Sequence, residues 1–273
     1  MKPIYQSACA ALLMASSLVQ PLEAKQPPPS MWKLDKVAKY DGLSSPVGMA
    51  YDATGTLYVA NWSSGSVLRF SPQGERTVFA SGLSGPAGLA ISPKGDVYVS
   101  SYNEDLVWRF TSDGARTVFV KGLATPAGLS FDARGRLLIA NRRTNQILAS
   151  QPDGKIEVVA EGLQTPVGVV ELPNRDLLVS NIAGGISLVS GGKIAKSINT
   201  ELRSPGPGIV AAGADAVYVV DYGATTVSRI NRQGERTIIA DGLRSPVGLA
   251  MAPDGSLVVA TWGDNAVFQI RQP

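Results

Sequence analysis

The sequence predicts an all-β fold, a six-bladed β-propeller with four-stranded blades whose last blade is closed by the N-terminal strand. The first observation is a repeat of 40 residues that starts at Gly42, the fifth copy being displaced by one residue. The second is a Pro-x-Gly motif that begins at Pro46, Pro86, Pro126, Pro166 and Pro246, and that the fifth copy replaces with SPGPG, in which Pro205 is the first proline and Pro207 precedes the glycine. A repeat of about 40 to 45 residues is typical of a propeller blade.

Each copy predicts four short strands. In the first copy they are GMAYD, TLYVAN, SVLRF and RTVFA, with turns that end in Gly55 and Gly74 between strands one and two and between strands three and four. Short runs rich in apolar and β-branched residues, punctuated by glycine turns, indicate strands. No copy sustains a helical period, so no helix is expected.

The two ends of the chain predict that the ring closes. The sixth copy stops after three strands, at Pro273, whereas residues 34–43 (LDKVAKYDGL) precede the first copy and resemble the missing fourth strand. In a ring this N-terminal strand can pair with AVFQI near the C-terminus. Pairing there would remove two open sheet edges, which otherwise invite aggregation.

Residues 1–24 are expected to be a signal peptide, because Lys2 precedes an apolar core and Leu22-Glu23-Ala24 forms a plausible cleavage site. Residues 25–31 are expected to be an extended spacer, and residues 32–273 a single propeller domain. We therefore expect a periplasmic or secreted protein that is not inserted in a membrane after cleavage. The only cysteine, Cys9, lies in the leader, so the mature chain has no disulfide.

The segments PVGMAYDATGTLYVANWSSGSVLRF, PAGLAISPKGDVYVSSYNEDLVWRF and PVGLAMAPDGSLVVATWGDNAVFQI resemble NHL-repeat blades and the blades of the SMP-30/gluconolactonase and streptogramin lyase propellers. The resemblance runs from about residue 34 to the C-terminus. It implies the fold but no single activity, because this architecture hosts binding modules and several enzyme chemistries.

The absence of two kinds of residue reduces the number of possible activities. The chain has no histidine, which excludes a histidine base, metal ligand or triad, and the lyases it resembles depend on histidines. Resemblance to the lactonases implies metal ligands at the middle position of Pro-x-Gly. That position holds Val47, Ala87, Ala127, Val167, Pro207 and Val247, which offer no side-chain oxygen to a hard cation. We therefore expect neither a bound metal nor another cofactor.

The predicted second strand of each blade ends in a short residue that is polar in every copy: Asn61, Ser101, Asn141, Asn181, Asp221 and Thr261. Such side chains commonly cap a strand by hydrogen bonding to the following loop. The alternative is a rearranged metal site formed by Asn141, Asn181 and Asp221.

The next position in each copy predicts a binding face. It holds Trp62, Tyr102, Arg142, Ile182, Tyr222 and Trp262, and the four aromatic residues come from neighbouring blades of a closed ring. Arg143 follows Arg142, and Arg203 and Arg244 lie in the Pro-x-Gly loops of the same face. Aromatic and arginine side chains often dominate binding surfaces. Alternatively, the aromatic residues pack between blades and the arginines are solvated.

Two functions therefore compete. The first is a monomeric binding module whose aromatic and arginine face takes a protein, a glycan or a small anionic or aromatic ligand. The second is a hydrolase or lactonase with a rearranged metal site that contains no histidine. A formal net charge of +3 without a basic stripe gives no reason to expect nucleic acid as a partner.

Overall fold

The computed structural model describes residues 31–112, 114–198 and 201–273. The predicted signal peptide, and all of the predicted spacer except Met31, lie outside the described residues. Six sheets of four antiparallel strands form a ring, which confirms the predicted fold class. The described residues include no helix long and apolar enough to cross a membrane.

The strands are numbered in chain order. The N-terminal strand is β1 (Lys33–Leu34), and the blades then contain β2 (Pro46–Tyr51), β3 (Leu57–Asn61), β4 (Ser66–Phe70) and β5 (Arg76–Ala80); β6 (Pro86–Ile91), β7 (Val97–Ser101), β8 (Leu106–Phe110) and β9 (Arg116–Lys121); β10 (Pro126–Phe131), β11 (Leu137–Asn141), β12 (Gln146–Ser150) and β13 (Ile156–Ala160); β14 (Pro166–Glu171), β15 (Leu177–Asn181), β16 (Gly185–Ser190) and β17 (Lys193–Ile198); β18 (Pro205–Ala211), β19 (Ala216–Asp221), β20 (Val227–Asn231) and β21 (Arg236–Ala240); and β22 (Pro246–Met251), β23 (Leu257–Thr261) and β24 (Ala266–Arg271).

The N-terminal strand closes the sixth blade, as the sequence predicts. The sheet order is β1-β24-β23-β22, with Leu34 paired to Ile270. The pairing is shorter than the continuous strand expected over residues 34–43, because the chain leaves the sheet after β1 and returns only at Tyr40, which bridges to Val267. Between these points Val37 is exposed.

The innermost strand of each blade begins with the Pro-x-Gly motif, and its glycine lies against the backbone of the next blade. A Cβ atom on Gly48 would lie 2.4 Å from the carbonyl oxygen of Ala87. A Cβ atom on Gly248, in the sixth blade, would lie 1.9 Å from the carbonyl oxygen of Val47, in the first. Only glycine permits this approach, so the motif brings the blades together at the axis and closes the ring.

The core lies between neighbouring blades and is centred on the second strands, in which almost every residue is buried. Large side chains connect one blade to the next. Tyr98 of the second blade packs edge to face against Phe131 of the third, with ring centroids 5.4 Å apart. At the N-terminus, the Trp32 ring packs 5.1 Å from Tyr218. The second strands are therefore enclosed by packing contacts between neighbouring blades.

Candidate ligand-binding site

The last residue of each second strand pairs with the proline of its own blade, as Asn61 pairs with Pro46 and Thr261 with Pro246. The strand ends and the Pro-x-Gly motifs consequently share one face of the ring, as the sequence predicts. We call this the mouth face. Residues that follow the strand ends are directed towards the ring axis by a scaffold of buried strands.

The mouth face contains a cavity of about 250 Å³ to which all six blades contribute. We call it the mouth cavity. Its rim consists of the six residues that follow the strand ends, Trp62, Tyr102, Arg142, Ile182, Tyr222 and Trp262. Its floor includes the six middle residues of the Pro-x-Gly motifs, Val47, Ala87, Ala127, Val167, Pro207 and Val247. The lining is therefore aromatic and aliphatic, with one charged residue.

The four aromatic side chains form two edge-to-face pairs. Trp62 and Tyr102 have ring centroids 5.0 Å apart, and Tyr222 and Trp262 have theirs 5.6 Å apart. The Trp262 indole N–H donates a hydrogen bond of 3.1 Å to the carbonyl oxygen of Pro46 in the next blade. Among the described residues, the Trp62 indole N–H has no such acceptor. These side chains thus pack against each other and line the cavity at the same time.

Arg142 is the charged residue of the lining. It begins a 3-10 turn, Arg142–Thr144, directly after β11. Its guanidinium donates to the Tyr102 hydroxyl, and its Cζ atom lies 5.7 Å from the centre of the Tyr102 ring. Within the described residues, no carboxylate lies within 4 Å of it. The mouth cavity therefore carries an uncompensated positive charge.

The other predicted arginines lie outside the mouth cavity. Arg143 is exposed and pairs with Asp105 at 2.9 Å, and Arg244 is exposed and pairs with Asp264 at 2.9 Å. Arg203 lines a separate cavity on the same face. The structure thus brings together five of the eight predicted ligand-binding residues and places these three around them.

One carboxylate on the mouth face is held apart from the cavity lining. Glu104, two residues after Tyr102, accepts hydrogen bonds from the Ser101 hydroxyl and from the Trp108 indole N–H, the latter at 3.1 Å. The Ser101 hydrogen bond is the largest of the effects that keep the pKa of Glu104 below its usual value. The Glu104 carboxylate is therefore an anion whose hydrogen-bond donors come from the protein itself.

Asn141, Asn181 and Asp221 are buried at the ends of their strands. Each side-chain oxygen accepts hydrogen bonds from backbone N–H groups in the Pro-x-Gly loop of its own blade. The bonds measure 2.7 Å for Asn141, 3.3 Å for Asn181, and 2.8 and 3.0 Å for Asp221. These are the contacts of strand caps, and they hold three separate loops.

The residues present do not fit a divalent metal ion. In residues 31–112, 114–198 and 201–273, no three histidine, cysteine, aspartate or glutamate residues approach closely enough to hold one. The cavity floor is apolar, and the strand-end oxygens already accept backbone hydrogen bonds. Hard cations take several oxygen ligands at one point, which this arrangement does not offer.

Sequence reasoning found the aromatic rim but left Ile182 and the whole floor out of the candidate site. The signal for the floor is present in the sequence, because resemblance to the lactonases implies that the middle position of Pro-x-Gly faces a ligand site. Their apolar side chains offer no ligand to a hard cation. The structure shows that the same residues complete an apolar cavity.

No protein-family model and no curated protein sequence matches this chain. Several solved structures match it in fold. A gluconolactonase from Xanthomonas campestris superposes with a TM-score of 0.78 at 16% identity, covering 92% of this chain and 96% of that one. Virginiamycin B lyase from Staphylococcus aureus gives a TM-score of 0.68 at 20% identity, covering 87% and 85%. A PQQ-bound aldose sugar dehydrogenase from Streptomyces coelicolor gives 0.72 at 18%, covering 90% and 99%.

The chain has the fold of these propellers. The resemblance to SMP-30/gluconolactonase blades is thereby confirmed at the level of architecture. At identities of 16 to 20%, the likeness shows the fold alone, and the activity has to be argued from the site.

Proposed function

We propose that this protein is an exported binding module whose mouth cavity takes a small, ring-bearing anion. The observation that carries the proposal is a cavity with four aromatic side chains and one arginine that lacks a carboxylate partner among the described residues. Export rests on the predicted signal peptide. N-terminal sequencing of the purified mature protein would support export if the chain begins at Lys25.

The size of the mouth cavity supports a ligand with one or two rings. An apolar cavity of about 150 Å³ accommodates benzene. Typical pockets for drug-sized ligands start at about 300 Å³. At about 250 Å³ the mouth cavity lies between these two cases. Flat rings suit it, because aromatic walls bury much area at little cost in side-chain entropy.

The charge of the mouth cavity supports an anion. Arg142 supplies a guanidinium, and Trp62 supplies an indole N–H without an acceptor among the described residues. Charge-assisted hydrogen bonds from arginine to carboxylates are among the stronger polar contacts. A cationic ligand would meet the same guanidinium and be repelled, although four aromatic rings alone would suit it.

The hydrolase or lactonase alternative shares its fold with the gluconolactonase. The mouth face offers few groups that could catalyse hydrolysis. The chain lacks histidine, whereas a histidine-to-alanine variant of virginiamycin B lyase is catalytically inactive. Calcium-dependent hydrolysis of glucono-δ-lactone by the purified protein, with a rise in melting temperature on adding calcium, would favour this alternative.

The test compares three naphthalene probes that differ in charge: 2-naphthoate, 2-naphthamide and a 2-naphthyl-trimethylammonium salt. Quenching of tryptophan fluorescence reports binding, because Trp62 and Trp262 line the cavity. We expect the carboxylate to bind most tightly and the ammonium least. Arg142→Gln should weaken naphthoate binding about tenfold and leave the amide almost unaffected, since one charged hydrogen-bond donor is lost.

Arg143→Gln is the matched control. It removes an arginine one residue away that is already paired with Asp105. We expect this variant to change neither the affinity for 2-naphthoate nor the affinity for 2-naphthamide. The proposal is wrong if none of the three probes binds, or if Arg142→Gln leaves the preference for the carboxylate intact.

A further inference from the structure

A second cavity lies beside the mouth cavity, at the boundary between the fourth and fifth blades. We call it the side cavity. It has a volume of about 290 Å³ and is lined by Ile182, Ala183, Gly184, Gly185, Ser197, Leu202 and Arg203. Ile182 also belongs to the rim of the mouth cavity. One aliphatic side chain is therefore a shared wall of the two spaces.

The side cavity exists because the fourth blade breaks the repeat. In the first blade, Asn61 pairs with Ser66 across a loop of four residues, whereas Asn181 pairs with Gly185 across a loop of three. The shorter loop consists of Ile182, Ala183 and Gly184. Ala183 and Gly184 have little or no side chain, and they leave open a space on the mouth face.

Arg203 lines this space with a charge that has no ion-pair partner in the part of the chain that the structure describes. The equivalent residue in the sixth blade is Arg244, because the Cβ atom of each arginine lies against the corresponding loop glycine, Gly223 or Gly263. Arg244 is neutralised by Asp264, at 2.9 Å. The position that corresponds to Asp264 in the fifth blade is Ala224. Accordingly, the Arg203 guanidinium has no ion pair or hydrogen bond among the described residues.

We propose that the ligand of the mouth cavity carries a second anionic group that passes over Ile182 and binds Arg203. This inference rests on the proposed function, which supplies the ring and the first anionic group. Arg142 and Arg203, neither of which has a carboxylate partner among the described residues, then lie in adjoining cavities, and each can bind one carboxylate of the ligand. The preferred ligand is a dianion with an extended tail.

The test uses derivatives of 2-naphthoate that carry a second carboxylate at the end of a flexible tether. Purified protein is titrated with 2-naphthoate and with a series of 6-(ω-carboxyalkoxy)-2-naphthoates of increasing tether length, each beside its neutral methyl ester at the tether end. We expect one tether length to bind about tenfold more tightly than its ester, because a charged hydrogen-bonded pair is gained. The gain should shrink as salt is added, since the site is partly exposed.

Three variants locate the effect. Arg203→Gln should abolish the gain from the tail and leave the affinity for 2-naphthoate unchanged. Arg244→Gln, which removes the equivalent arginine with its ion pair, should alter neither. Ala224→Asp should neutralise Arg203 as Asp264 neutralises Arg244, and so also remove the gain.

The outcomes separate the two proposals. If 2-naphthoate binds but no tether length gives a gain, or if the gain survives Arg203→Gln, the second anionic group is refuted and the mouth cavity stands. A gain that Arg244→Gln removes equally would also refute the assignment to Arg203. If 2-naphthoate does not bind, the proposed function fails, and this inference fails with it.

Discussion

Replacing Gly248 by alanine tests the contact that closes the ring. The added Cβ atom would lie 1.9 Å from the carbonyl oxygen of Val47, and an ordinary contact begins at 3.4 Å. The two backbones would have to separate by the difference, about 1.5 Å. No flexible side chain can absorb this shift, and a Cβ atom on the equivalent glycines would also lie closer than 3.0 Å to the next blade, at 2.4 Å for Gly48 and 2.2 Å for Gly88.

We expect Gly248→Ala to cost about 3 kcal/mol or more, the upper end for overpacking. For a domain of this size that corresponds to a fall in melting temperature of roughly 6–12 °C. The assay is thermal unfolding followed by near-ultraviolet circular dichroism, repeated in urea to obtain the free energy of unfolding.

Gly255→Ala is the control. Gly255 is in a turn at φ +81° with nothing within 4 Å of a Cβ atom, apart from its neighbours in the chain. This change should cost only about 1–2 kcal/mol, for the left-handed backbone alone. The reasoning would be refuted if Gly248→Ala were no more destabilising than Gly255→Ala, since the first and sixth blades could not then touch as described.

Two further predictions follow from single hydrogen bonds. Trp262→Phe should lower the free energy of unfolding by about 1 kcal/mol, because it removes the donor to the Pro46 carbonyl oxygen, and Trp62→Phe should not. Equal thermal shifts for the two variants would contradict this. The Thr225 hydroxyl and then the Gly242 N–H hold the pKa of Asp241 below its ordinary value. The stabilisation is therefore present above the unfolded-state pKa, at about 4, and is lost as pH falls through the lower folded-state pKa. Thr225→Val should make stability less sensitive to acid in urea titrations from about pH 5 downwards, and an unchanged pH dependence would count against it.

Much of the candidate site could be predicted because position within a repeat is position within a blade. The residues after the strand ends, such as Trp62 and Arg142, could be assigned to one face from the repeat alone. The ion pairs that the arginines form could not be predicted from the repeat. Arg143, Arg203 and Arg244 cannot be distinguished in the sequence, but Arg143 and Arg244 pair with aspartates from other loops of the fold, whereas Arg203 has no such partner within the described ranges.

The number of blades, their strand order and the closure of the ring can be inferred from the sequence alone, because a periodic pattern of glycines, prolines and β-branched residues is local information repeated along the chain. The three-dimensional arrangement of the blades is needed to see which side chains share a cavity and which arginines are neutralised by a carboxylate. Those properties depend on contacts between blades, such as Arg142 with Tyr102 and Trp262 with Pro46, whose partners are 40 and 216 residues apart in the chain. A loop one residue shorter in the fourth blade opened the side cavity for the same reason: its consequence is visible only where neighbouring blades meet.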